Sequence, residues 1–144
     1  MESYHKLVYS LGTSTRPREE FVRLLCCYRI ELVVDVRRFP TSRFEHFKQQ
    51  ELEKLLSEIG IEYLYFGDRL GGYRQGGYVL FTTTAEFACG VGVLEELVSR
   101  KLSAVMCAER LPWRCHRRFI TSELKRRGWE VKHIIDEGRL WSQK

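Results

Sequence analysis

Five short apolar runs, Lys6 to Leu11, Glu31 to Val36, Ile61 to Phe66, Leu102 to Cys107 and Trp129 to Ile135, alternate with longer segments whose apolar residues recur at helical spacing. Strands that alternate with helices predict a parallel sheet covered on both faces. The run Glu31 to Val36 (ELVVDV) has the β-branched character of a strand buried on both sides. Phe21, Leu24, Leu25 and Tyr28 share one helical face. Thr15 is positioned to cap that helix, with Pro17 and the acidic pair Glu19 and Glu20 in its first turn. Lys48 to Ile59 places Leu52, Leu55, Leu56 and Ile59 on a second face and stops at Gly60. Glu86 to Arg100 and Cys115 to Arg127 complete the helices, the last closed by Gly128, while Gly67 to Thr83, with two Gly-Gly pairs, is expected to be irregular. The expectation is a single α/β domain over residues 1–144, with a mostly parallel sheet of about five strands and helices on both faces, in three layers.

The totals narrow the class. A length of 144 residues suits one domain, and 44% hydrophobic residues suffice for a core. The longest apolar run near the start is too short and polar for a signal peptide or a membrane span, so no membrane partner is expected. Five cysteines, an odd number, argue against a secreted disulfide framework and for the cytoplasm. The net charge of +5 is compatible with nucleic acid or a phosphate-bearing small molecule. Arginines cluster beside Gly, Pro and Ser, in loop neighbourhoods where side chains can meet a ligand.

In parallel sheets the ligand lies beyond the carboxyl ends of the strands, and every unusual segment here follows a strand. The richest is Cys107-Ala108-Glu109-Arg110-Leu111-Pro112-Trp113-Arg114-Cys115-His116-Arg117-Arg118. A thiol at a helix start, among arginines, has a lowered pKa and reacts as thiolate. Cys115 is therefore the candidate nucleophile, with His116 or Glu109 to move protons and Cys107 as an alternate or resolving thiol. Packing roles for both cysteines stay open. C-x7-C-H matches no common zinc spacing, so no metal or cofactor is expected.

Other segments add ligand candidates. Ser14, Thr15 and Arg16 form a turn able to cradle an anion, or simply a helix start. Asp35 is a candidate acid or base, or half of an Asp–Arg pair that fixes loop geometry. Arg37, Ser42 and Arg43 resemble a phosphate clamp. Gly71 and Gly72 allow close backbone approach beside Arg74, and Arg117 completes the cation set. Tyr73, Tyr78, Phe81 and Trp113 either stack on a nucleobase or pack their own loops. His5 and His46 have no partner visible in sequence; His133, alternating with apolar residues, is expected to face solvent or a helix.

Four segments in order carry a family resemblance: Ser10 to Arg16; Val34 to Arg37 with Pro40, Ser42 and Arg43; Leu70-Gly71-Gly72 with Arg74; and Cys107-Ala108-Glu109 with Pro112, Cys115, His116 and Arg117. Together they resemble the family known as domain of unknown function 488. The resemblance implies an α/β fold with these motifs clustered, and no established reaction; labels carried by some members connect them to DNA repair. The family often has His where Thr13 stands and where Tyr65 stands. The reading is an enzyme acting on a phosphorylated ligand, a nucleotide or nucleic-acid end, at a Cys/Arg-rich cleft. The alternatives are a non-catalytic nucleic-acid-binding protein linked to DNA repair, or a thiol redox protein.

Overall fold

Successive side chains along the central strands fall on opposite faces of the sheet, and this alternation builds two cores on one sheet. A computed structural model of the chain describes residues 6–142; the reading of His5 lies outside them. The strands are β1 (Leu7–Gly12), β2 (Leu32–Asp35), β3 (Glu62–Tyr65), β4 (Ser103–Cys107), β5 (Glu130–Asp136) and β6 (Arg139–Ser142), in the order β3-β2-β4-β1-β5-β6. Every neighbouring pair is parallel except β5 with β6. The helices are α1 (Arg18–Cys27), α2 (Gln49–Glu58), the single turns α3 (Gly67–Leu70) and α4 (Tyr78–Phe81), α5 (Ala85–Val98) and α6 (Arg117–Arg126).

On one face, Tyr9, Leu11, Val33, Ala104 and Met106 meet Phe21, Leu24 and Leu25 of α1 and Leu52 and Leu56 of α2. On the other, Val8, Val34, Val36, Val105 and Cys107 meet Phe87, Val91 and Leu94 of α5 and Ile120 and Leu124 of α6. A period of two on the strands and of three to four on the helices thus gives three layers. No helix among the described residues is long and apolar enough to cross a membrane.

The sheet has six strands where about five were expected. The sixth, β6, is exposed along its whole length and pairs at the edge, so no apolar pattern marks it. Its one sequence signal is Gly138, in the left-handed region at φ 74° in the turn that precedes it. The stretch 67–83 holds two short helices rather than none. Thr15 does not cap α1: Pro17 takes that position and no side chain bonds there. His133 is buried, its Nδ1 bonded to the Ser10 hydroxyl, and not turned to solvent.

The strand order positions the site. β1 lies between β4 and β5, so the chain reverses its direction of winding around β1. At the carboxyl rim Gly12 stands opposite Cys107, and Asp35 opposite Met106.

Candidate functional site

The loop after β4 folds back on its own strand. Thr13 and Ser14 donate their amides to the Cys107 and Ala108 carbonyls, at 2.9 and 2.8 Å. Only glycine fits opposite this crossing, because a Cβ on Gly12 would stand 1.8 Å from the Glu109 carbonyl oxygen. The Glu109 carboxylate accepts the Leu111 amide at 3.1 Å, and Pro112 to Arg114 make a 3-10 turn. Extended backbone at Cys115 (φ −141°) then leads into α6. The reversal brings the Cys107 and Cys115 sulfurs to 3.0 Å.

The two thiols are unequal. Cys107 is buried, and its contact with Cys115 followed by burial pushes its pKa up, so it keeps its proton and donates it. Cys115 receives that hydrogen bond, which is the main reason its pKa falls to about 7; the Arg117 charge and the Arg117 amide, 3.4 Å from the sulfur, add to the effect, against burial. Arg117 itself is fully buried. One nitrogen, Nη2, donates to the Glu109 and Arg110 carbonyls at 3.1 and 3.3 Å, while Nε and Nη1 have no hydrogen-bond partner among the described residues. A buried guanidinium with no carboxylate against it favours an anion nearby, and the Cys115 thiolate is the group placed to supply that charge.

His116 donates from Nε2 to the Val36 carbonyl at 2.9 Å, since a carbonyl can only accept. Burial, then the nearby Arg117 and Arg74 charges, lowers its pKa against the effect of that bond. The neutral ring therefore leaves Nδ1 with a lone pair, on the side where Gly72 gives it room: a Cβ there would lie 3.3 Å from Nδ1. Tyr78 packs its ring 5.2 Å from that of His116 and donates its hydroxyl to the Leu70 carbonyl.

These groups border a cavity of about 610 Å³, within the ordinary size of a small-molecule site. Cys107, Glu109, Cys115 and His116 line it, as do Arg37 and Gly72. Arg38, one of the loop arginines, lines it too, with Phe39 and Thr41, which were missed in the sequence. The signal was their place in the same post-strand loop as Arg37. Side-chain direction decides between neighbours there, and no pattern in a loop gives it. Arg38 lends only its carbonyl, to Tyr65, and its guanidinium forms no hydrogen bond or ion pair among the described residues. The exposed rings of Phe39 and Tyr73 meet at the mouth, 5.6 Å apart, with Tyr73 at φ 60°.

Most of the remaining candidates have partners within the protein. Asp35 is fully buried; its oxygens accept from Arg37 at 2.9 and 2.8 Å and from the Tyr63 hydroxyl at 2.6 Å. Arg37 spends its third nitrogen on the Phe47 carbonyl. Arg16 is bound to the Gly12 and Ile135 carbonyls and to Glu20. Arg74 bonds the Gly71 and Asp68 carbonyls and lies 4.0 Å over the Phe81 ring. Ser42 accepts the Phe44 amide, and Arg43 lies over the Phe44 ring. Ser14 takes positive φ in the turn beside the exposed Thr15. Gly71 packs on Arg38, where a Cβ would come within 2.8 Å of its Cα. His46 donates from Nε2 to the Arg16 carbonyl at 2.9 Å, and Trp113 packs on Trp141.

A family model described as "Domain of unknown function DUF488" matches residues 17–80 and 77–124. No curated protein and no solved structure matches the chain.

Proposed function

The chain belongs to the DUF488 family, and we propose that it is a thiolate-dependent enzyme acting on a small phosphorylated ligand, with Cys115 as nucleophile. The observation that carries this reading is a sulfur on a cavity wall that accepts hydrogen bonds from a thiol and an amide beside a buried guanidinium. Such surroundings hold a thiolate near neutral pH, and the thiolate is the reactive form. Cys115 would attack an electrophilic centre of the ligand, forming a bond to sulfur as the leaving group departs. His116, with a free lone pair at Nδ1, would take the proton of the group that next attacks. Arg38 is the uncommitted cation for the phosphate, a smaller anion clamp than five arginines would make. The Phe39 and Tyr73 rings at the mouth suit a planar group such as a nucleobase.

The test is protection of Cys115 from iodoacetamide by inorganic phosphate, pyrophosphate and a panel of nucleoside monophosphates, read cysteine by cysteine. At least one of these slows labelling of Cys115 and leaves the exposed Cys89 unchanged. Equal Cys115 rates across the panel would reject the phosphorylated ligand. The exposed aromatic pair also favours a second reading, a module that binds single-stranded nucleic acid. In that case oligonucleotide binding falls steeply with salt and survives Cys115→Ser.

A further inference from the structure

Of the five cysteines, Cys26, Cys27 and Cys89 are exposed on helices, while Cys107 and Cys115 face each other at 3.0 Å from different elements. That separation is inside van der Waals contact for two sulfurs and outside a bond, which is about 2.05 Å. We propose that Cys107 and Cys115 form a reversible disulfide when Cys115 meets a hydroperoxide, with Cys107 as the resolving thiol. The proposal rests on the reading of Cys115 as the reactive thiol, and adds a substrate and a form of control to that same site.

Access orders the steps. Cys115 lines the cavity and is partly exposed, whereas Cys107 ends a central strand at 2% exposure. The thiolate of Cys115 attacks the outer oxygen of the hydroperoxide; the S–O bond forms, the O–O bond breaks, and the departing alkoxide takes a proton from water. Cys115 is then a sulfenic acid and the peroxide has become an alcohol. The Cys107 sulfur, already in contact, attacks the Cys115 sulfur; the S–S bond forms and hydroxide leaves with the Cys107 thiol proton as water. Two electrons pass from the dithiol to the peroxide. The sulfurs need approach by only about 1 Å, and Cys115 sits in extended backbone between a 3-10 turn and α6 rather than inside a helix.

Arg117 sets how readily the bridge reopens. Its buried guanidinium forms no ion pair with a carboxylate among the described residues, so the bridge removes the thiolate charge that faces it. Stabilising the reduced form makes a disulfide easy to reduce, and a dithiol such as dithiothreitol returns the pair to its starting state. Oxidation in this way removes the nucleophile and also protects its sulfur from further oxidation.

The experiment treats the full chain with tert-butyl hydroperoxide and maps cysteine states by mass spectrometry without reduction. The expected product is a Cys107–Cys115 bridge that dithiothreitol reopens, formed equally in a Cys26→Ser, Cys27→Ser, Cys89→Ser variant. Cys107→Ser is expected to stop at a Cys115 sulfenic acid trapped by dimedone. Since Cys107 is buried and that variant risks misfolding, the wild-type map decides alone. Conversion of wild-type Cys115 to sulfinic acid without a bridge, or oxidation confined to Cys26, Cys27 and Cys89, overturns the proposal. If Cys115 is alkylated as a thiolate and still no bridge forms, this inference fails and the nucleophile reading stands. If Cys115 titrates as an ordinary thiol and the bridge nevertheless forms, the reverse holds.

Discussion

Arg117 and Asp35 are both buried ionisable residues, yet they sit in opposite situations. Asp35 has its counter-ion, with Arg37 forked onto both oxygens and Tyr63 on one of them. Burial, followed by the neighbouring Asp35 charge, pushes the Tyr63 hydroxyl far up, so it stays a donor. Removing the carboxylate in Asp35→Ala strands the Arg37 charge and is expected to cost about 3–5 kcal/mol, read as a drop in the urea midpoint at unchanged slope. A loss below about 1 kcal/mol, the usual scale of an exposed pair, would contradict the burial of this one. Arg117 has no such partner among the described residues, and its effect falls on Cys115 instead. Arg117→Met keeps similar bulk and removes the charge. It is expected to raise the pH midpoint of Cys115 alkylation by up to about 1 unit, while Arg117→Lys restores part of the shift. An unmoved midpoint in Arg117→Met would show that the guanidinium does not hold the thiolate.

At the scale of elements, the loop from Cys107 to Arg117 depends on what it crosses. Gly12 is required because the Glu109 carbonyl and the Arg110 Cα lie where its side chain would be, within 1.8 and 2.7 Å of a Cβ. Both atoms belong to backbone and cannot rotate away. Gly12→Ala is expected to destabilise the protein by about 1–3 kcal/mol, seen in thermal unfolding. It should also raise the Cys115 alkylation midpoint, because the loop that seats Cys115 against Cys107 must shift. A destabilised variant with an unchanged midpoint would mean that the crossing and the dithiol are independent. The sequence made this loop legible as chemistry, through one Cys-His-Arg cluster after an apolar strand. It did not reveal that the loop reverses, since the cue is a glycine 95 positions earlier, Gly12 against Cys107. The edge strand β6 was hidden for a related reason: with every residue exposed, nothing in its pattern is constrained by a core.

Across the whole molecule, the regular alternation of strand and helix carried the three-layer architecture, because burial on two faces imposes periods that survive in the residues. Loop arginines carry no such imprint. Arg16, Arg37 and Arg74 looked like ligand groups by neighbourhood, and their hydrogen bonds go to backbone carbonyls and to buried or neighbouring carboxylates that close the rim. Arg38, one residue from Arg37, also lines the cavity, and its guanidinium has no hydrogen-bond or ion-pair partner among the described residues. The strand order explains why the rim needs this much bracing: β1, β2 and β4 end together there, and their post-strand loops must pack on one another before a cavity can form between them.

The central claim, a thiolate at Cys115 seated by Cys107 and Arg117, is tested most directly by the pH dependence of iodoacetamide labelling, followed for each cysteine by mass spectrometry. Labelling of Cys115 is expected to rise with pH and level off with a midpoint near 7, well below the value of about 8.5 for a free cysteine, while buried Cys107 stays unlabelled until the protein unfolds. A Cys115 midpoint at or above that of a free cysteine peptide, or labelling of Cys107 ahead of Cys115, would contradict the account.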